Sequence, residues 1–151
     1  MLTAQHYHDH GHAAAADHVS LTYEDRFLRR KVLTLASGAQ LMVDLPQTTS
    51  LNHGGVLITT DQTEIRIAAA PEPLLSVTGP SLHRIAWHVG NRHTPCQIEE
   101  TRLLIQRDHV MADMLGKIGA TVTEVIEPFT PEGGAYGHGR THGHDHSHSH
   151  T

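Results

Sequence analysis

Apolar and polar residues change rhythm along this chain, and each change predicts a different kind of structure. From His18, the residues Val19, Leu21 and Tyr23 alternate with polar neighbours, the period of a strand buried on one face. Lys31-Val-Leu-Thr-Leu35 is joined through Ala36-Ser-Gly-Ala39 to Gln40-Leu-Met-Val-Asp-Leu45, as the two arms of a hairpin would be. Gly54-Gly-Val-Leu-Ile-Thr-Thr60, the turn-forming Asp61-Gln62 and Thr63-Glu-Ile-Arg-Ile67 repeat that arrangement. A small all-β domain is expected over residues 18–70. In Ala68-Ala-Ala-Pro-Glu-Pro73 the two prolines favour an extended chain outside regular elements, which predicts a linker.

The second half carries helical spacing between short strands. Leu74-Leu-Ser-Val-Thr78 reads as a strand, and Gly79-Pro-Ser81 as a helix start with Ser81 as N-cap. Leu82, Ile85, Ala86 and Val89 then fall on one helix face, and Gly90-Asn91 is the expected stop, because these residues tolerate positive φ. Pro95-Cys-Gln-Ile-Glu99 and Arg102-Leu-Leu-Ile-Gln106 are strand-like. A second helix is capped by Asp108, carries Val110, Met111, Met114, Leu115 and Ile118 as its apolar stripe, and stops at Gly119. Ala120-Thr-Val-Thr-Glu-Val-Ile-Glu127 closes the series as a strand. Strand, helix, strand, strand, helix, strand is the order of a ferredoxin-like βαββαβ unit, expected over residues 74–130. The fold class is therefore α+β.

Both ends lack such periodicity. Residues 1–17 hold His6, His8, His10 and His12 at alternate positions and then a run of alanines, and residues 131–151 run through glycines into His138, His142, His144, His146, His148 and His150. Both segments are expected to be disordered, histidine-rich arms, since they offer little to bury. Aromatic residues make up only 4% of the chain, so each domain buries a modest core and gains from pairing with a second subunit. A homodimer is expected.

Charge and cysteine content narrow the function. The net charge of −5 with neutral histidine argues against a nucleic-acid partner, which needs clustered Lys and Arg to neutralise phosphates. Cys96, the single cysteine, excludes an internal disulfide framework and a cysteine-rich zinc ribbon, and a strand-like setting suits a buried, inert thiol. Met1 to His12 has no cationic start or apolar run, and no stretch approaches the ~18 apolar residues of a membrane span, so the cytoplasm is the expected compartment and no membrane a partner. No H-E-x-x-H, G-x-S-x-G or phosphate-loop pattern occurs, so no enzyme is expected.

Histidine is the anomaly, with 16 copies. His142, His144, His146, His148 and His150 are separated by small residues, which lets a flexible chain wrap several neutral imidazoles around one ion. His88 falls in the last turn of the first helix, off its apolar face, where the helix dipole also favours a protonated histidine on structural grounds alone. His93 follows the helix stop and is presented by a loop, the place for a ligand on a rigid scaffold. His109 begins the second helix, where the dipole disfavours the imidazolium and so keeps the metal-binding neutral form. His53, before Gly54-Gly55, is read as a turn residue. An imidazole-rich, thiolate-poor set suits nickel, copper or zinc, and composition does not choose among them.

Trp87-His-Val-Gly-Asn-Arg-His93, Pro95-Cys-Gln-Ile98, Asp108-His-Val-Met-Ala-Asp-Met-Leu115, Pro128-Phe129 and Pro131-Glu-Gly-Gly-Ala-Tyr136 before a histidine tail together resemble the UreE family of urease accessory proteins, nickel metallochaperones. The resemblance implies a peptide-binding-like N-terminal β domain and a ferredoxin-like domain that binds metal and dimerises. It implies that His93 sits at the two-fold axis, where both subunits give it to one Ni(2+), with His88 as a secondary and His109 as a peripheral ligand. Zn(2+) or Cu(2+) is the other expected cargo. It also implies delivery to the urease maturation complex through the urease accessory GTPase. Some relatives carry a further histidine two positions before His109, where this chain has Arg107, and the His6 to His12 segment departs from the family plan. Two other readings stay open: a histidine-rich store for nickel, copper or zinc, and a protein-folding adaptor acting through the β domain.

Overall fold

The computed structural model describes residues 1–11 and 14–133, and the chain divides into two compact units, Met1–Ala70 and Pro71–Thr151. The first unit is a six-stranded sheet built from β1 (Leu2–His8), β2 (Asp17–Leu21), β3 (Phe27–Thr34), β4 (Gln40–Ser50), β5 (Val56–Thr59) and β6 (Glu64–Ala69), in the spatial order β2-β6-β5-β1-β4-β3. Both hairpins expected from the alternation form, β3 with β4 and β5 with β6, each antiparallel. Their turns place Gly38 at φ 93 and Gln62 at φ 71.

The N-terminal segment corrects the sequence reading. Residues 2–8 form no disordered arm but a strand in the middle of the sheet, parallel to β4 on one side and antiparallel to β5 on the other. The reason is a register shift between Ala4 and His6. Ala4 is fully buried, and a strict period of two would then turn His6 inward. The extra residue flips the parity, so Leu2 and Tyr7 pack against the core while His6 and His8 stay exposed. Tyr7 is fixed further by Asn52, whose N–H donates to its hydroxyl at 2.7 Å, and burial pushes the phenol up to about 12. Gly55 lies directly against this ring, and a Cβ there would collide with the phenol.

Two other polar groups close the unit. Arg26 is buried and donates from Nε to the Leu51 carbonyl at 3.1 Å and from Nη1 to the Leu21 carbonyl at 2.9 Å. His53 does occupy a turn, but its Nδ1 also accepts the Ala69 N–H at 3.0 Å, which ties the turn to the end of β6.

The expected linker is also absent. β6 runs to Ala69 and β7 (Pro71–Thr78) begins at once, leaving Ala70 between them. The prolines are tolerated because β7 pairs with β9 (Leu103–Gln106) only over Leu74–Val77, so neither Pro71 nor Pro73 has a ladder partner on that side.

In the second unit, β7, α1 (Leu82–Asn91), β8 (Gln97–Ile98), β9, α2 (His109–Lys117) and β10 (Thr121–Pro128) follow one another, and the sheet order is β10-β7-β9-β8 with every neighbouring pair antiparallel. Leu75, Val77, Leu103 and Ile105 from the sheet meet Ile85 and Val89 of α1 and Met111 and Leu115 of α2 in one core. Both helices therefore cover the same face. Gly79 lets α1 start close to the sheet, since a Cβ there would stand 2.6 Å from Ile85 Cδ1. Among the described residues no helix is long and apolar enough to cross a membrane.

Helix ends differ in how they match expectation. Asp108 caps α2 as predicted, accepting from the N–H groups of Val110 at 2.9 Å and Met111 at 3.3 Å, and Gly119 ends it at φ 92. Ser81 precedes α1 but makes no side-chain cap bond. Gly90 and Asn91 do not stop α1; the helix continues through both, Arg92 caps it, and His93 takes the left-handed conformation at φ 58. Val110, expected in the apolar stripe of α2, is instead 54% exposed.

Candidate metal centre

The three internal histidines singled out by sequence sit at helix ends on one side of the second sheet. His93 is exposed, and its backbone is held by its own N–H donating to the Gly90 carbonyl at 2.9 Å while Arg92 N–H donates to Val89 at 3.1 Å. A positive φ is uncommon outside glycine, although histidine is among the residues that adopt it more readily. The tight turn aims a single imidazole outward from a rigid helix rather than leaving it on a free loop.

His88 lies one turn back, partly buried, with Trp87 edge-on against its ring at a centroid separation of 5.1 Å and 86° between planes. Trp87 itself is 64% exposed, a large apolar ring left uncovered next to His88. His109 is the first residue of α2 and is exposed, while Asp108 beside it is committed to the cap. Among the described residues, no three histidine, cysteine or acidic side chains come together to hold a metal ion. His88, His93 and His109 of one chain thus do not make a closed site. His142, His144, His146, His148 and His150 lie outside the described residues, as does His12.

The neighbouring residues explain what is not available to a metal. Arg107 donates from Nε to the Leu74 carbonyl at 3.1 Å and from Nη2 to the Val125 carbonyl at 3.0 Å, so it stitches β7 to β10. A side chain bound to two backbone carbonyls is part of the fold, not a ligand. Cys96 is partly buried, and burial, followed by the charge of Glu132, pushes its thiol up to about 11. That keeps it protonated at neutral pH and a poor thiolate ligand or nucleophile, in agreement with the inert reading. Arg102 joins Glu99 at 2.9 Å and Glu127 at 2.6 Å, and this pairing holds the Glu127 carboxyl below its usual range.

His93 follows the helix as its position after Gly90-Asn91 suggests, but its left-handed backbone is not foreseen from sequence. Its only local signal is that Gly90-Asn91-Arg92-His93 offers two permissive residues too early, before the last turn of α1 has closed.

Comparison with known proteins then places the chain. A family model described as the UreE urease accessory protein, N-terminal domain, matches residues 2–70, and one described as its C-terminal domain matches residues 72–151. A protein of Ruegeria sp. (strain TM1040) named urease accessory protein UreE is 65% identical over 142 residues, which cover 93% of this chain and 81% of that protein. Proteins of the same name from Ruegeria pomeroyi and Rhodobacter capsulatus are 64% and 56% identical, over 87% of this chain in each case and over 89% and 83% of their own lengths. With both family domains matched in order along nearly the whole length, the chain belongs to the UreE family of urease accessory proteins.

Proposed function

We propose that the protein is a cytoplasmic nickel metallochaperone, not an enzyme, whose homodimer carries one Ni(2+) between two His93 imidazoles and delivers it for assembly of the urease active site. The observation that carries this reading is the placement of His93: an exposed imidazole at the rigid end of α1, with no second and third donor gathered beside it among the described residues. One such side chain is a poor site, and a second copy across a two-fold axis doubles it. The exposed Trp87 supports a covered surface nearby, as an apolar ring of this size is more stable out of water.

Incomplete coordination suits a carrier. Positions left open on the ion are filled by water or by exchanging donors, and His88, His109 and the imidazoles of His142, His144, His146, His148 and His150 are the donors of this chain that serve that exchange. Ligand replacement then releases the ion to a recipient, which family membership suggests is the urease maturation complex reached through its GTPase. Zn(2+) and Cu(2+) compete for the same imidazoles. The antiparallel order β10-β7-β9-β8 with both helices on one face supports a ferredoxin-like reading of residues 71–130, with residues 1–70 as the peptide-binding-like domain and 131–151 as the metal-handling tail.

Nickel titration by calorimetry of the full chain and of His93→Ala tests the proposal. The tightest site should fill at about one ion per two chains and vanish in the variant while the dimer persists. An unchanged tight site in His93→Ala would overturn the shared-histidine account. Many ions of equal affinity in both proteins would instead favour storage.

A further inference from the structure

We propose that His6 and His8 form a second, separate metal-capture site on the outer face of β1, taking a borderline divalent cation such as Ni(2+) or Cu(2+) through two imidazoles. The β-bulge in β1 sets their placement. After the register shift, His6, Tyr7 and His8 pair regularly with Ile58, Leu57 and Val56 of β5. Tyr7 and Leu57 belong to the core side, so His6 and His8 stand together on the opposite face. Side chains two apart on one strand face are separated by about 6.6 Å along the strand, a span that two imidazoles close around one ion.

The surrounding chain keeps the pair in place. β1 is bonded on both sides, so these histidines rest on one of the most restrained strands of the unit rather than on a free arm. On the same face the rows continue from His6 through Ile58 to Glu64 and from His8 through Val56 to Arg66. Gly11 passes over that far side, where its Cβ position lies 3.0 Å from Glu64 Oε1, 3.1 Å from Val56 Cγ1 and 3.2 Å from Arg66 Nη2. Asp9 is turned the other way, accepting from Asn52 Nδ2 at 3.1 Å. No third donor completes the pair among the described residues, so a held ion retains water and exchanges readily. Two imidazoles with open positions favour Cu(2+) over Ni(2+) in affinity and admit both.

The test uses the isotopically labelled full chain. Paramagnetic Ni(2+), added beyond the roughly one ion per two chains taken by the His93 site, should broaden the amide resonances of His6, Tyr7, His8, Val56 and Ile58, and the double variant His6→Gln/His8→Gln should lose that broadening and about one ion of binding capacity per chain. Resonances of Ala4 and Leu57 unchanged in the variant show that the strand is retained. A second measurement needs no variant: Zn(2+) should shift the ring nitrogens of both His6 and His8 in the wild-type protein. Broadening that survives the double variant, or ring nitrogens of His6 and His8 that ignore Zn(2+), would overturn the proposal. Because these signals come from the first unit, they read independently of whether His93 binds nickel.

Discussion

His93 carries two separable properties, an exposed imidazole and a strained backbone, and substitutions can part them. Its φ of 58 costs an ordinary residue roughly 1–2 kcal/mol, which glycine does not incur. His93→Gly should therefore keep or raise the thermal midpoint while removing the imidazole, and His93→Val should lower stability by about 1–2 kcal/mol with the same loss of ligand. Equal melting of the two variants by calorimetry would show that the left-handed turn is not maintained in solution. Alkaline pH probes two further residues. Tyr7 moves from 10.0 to about 12 and Cys96 from 9.0 to about 11, both through burial. A raised folded value means the stability each contributes is complete below its unfolded value and is lost as pH rises through the folded one. Urea midpoints should then hold to about pH 9 and fall between about pH 9 and 12, with a shallower fall in Tyr7→Phe. A flat profile across that window would contradict the burial of both groups.

At the level of elements, local chemistry decided what could be read without the structure. Apolar runs joined by turn residues revealed the β3–β4 and β5–β6 hairpins, and 3.6-residue spacing revealed α1 and α2, whose apolar faces meet the core. β1 was hidden because its bulge divides the core positions between two parities, leaving alternate histidines that look like a solvated arm. The linker reading failed at Pro71 and Pro73 for a related reason: proline is tolerated in a strand where one side lacks a ladder partner, and these two pair with β10 alone. Deleting residues 1–10 should accordingly unfold the first unit rather than trim a tail, seen as lost amide protection in β4 and β5; retained protection would return the segment to an arm. The helix caps give a matched pair. Asp108→Ala should cost about 1 kcal/mol, since the side chain serves two N–H groups, whereas Ser81→Ala should change little. Similar losses from both substitutions in denaturant melts would refute the contrast.

For the whole molecule, the histidines proposed as donors were legible in the sequence; that those of one chain do not gather among the described residues emerged only from the fold. Sequence places His88, His93 and His109 at helix ends, but spacing along a chain does not say whether three donors meet, and among the described residues they do not. Arg107 shows the same limit from the other side: its position next to His109 invites a metal role, while its guanidinium is bound to carbonyls of β7 and β10. A carrier whose subunits each contribute one fixed imidazole needs assembly to function, so sharing between subunits is the central claim. The most direct measurement is native mass spectrometry of mixed dimers, one wild-type subunit and one His93→Ala subunit, at limiting nickel beside both parent dimers. A shared ion predicts that the wild-type dimer retains one nickel and that the mixed dimer falls to the level of the dimer with His93→Ala in both subunits. A mixed dimer that retains nickel as well as the wild type, or half as well, would show each His93 binding alone and would contradict the account.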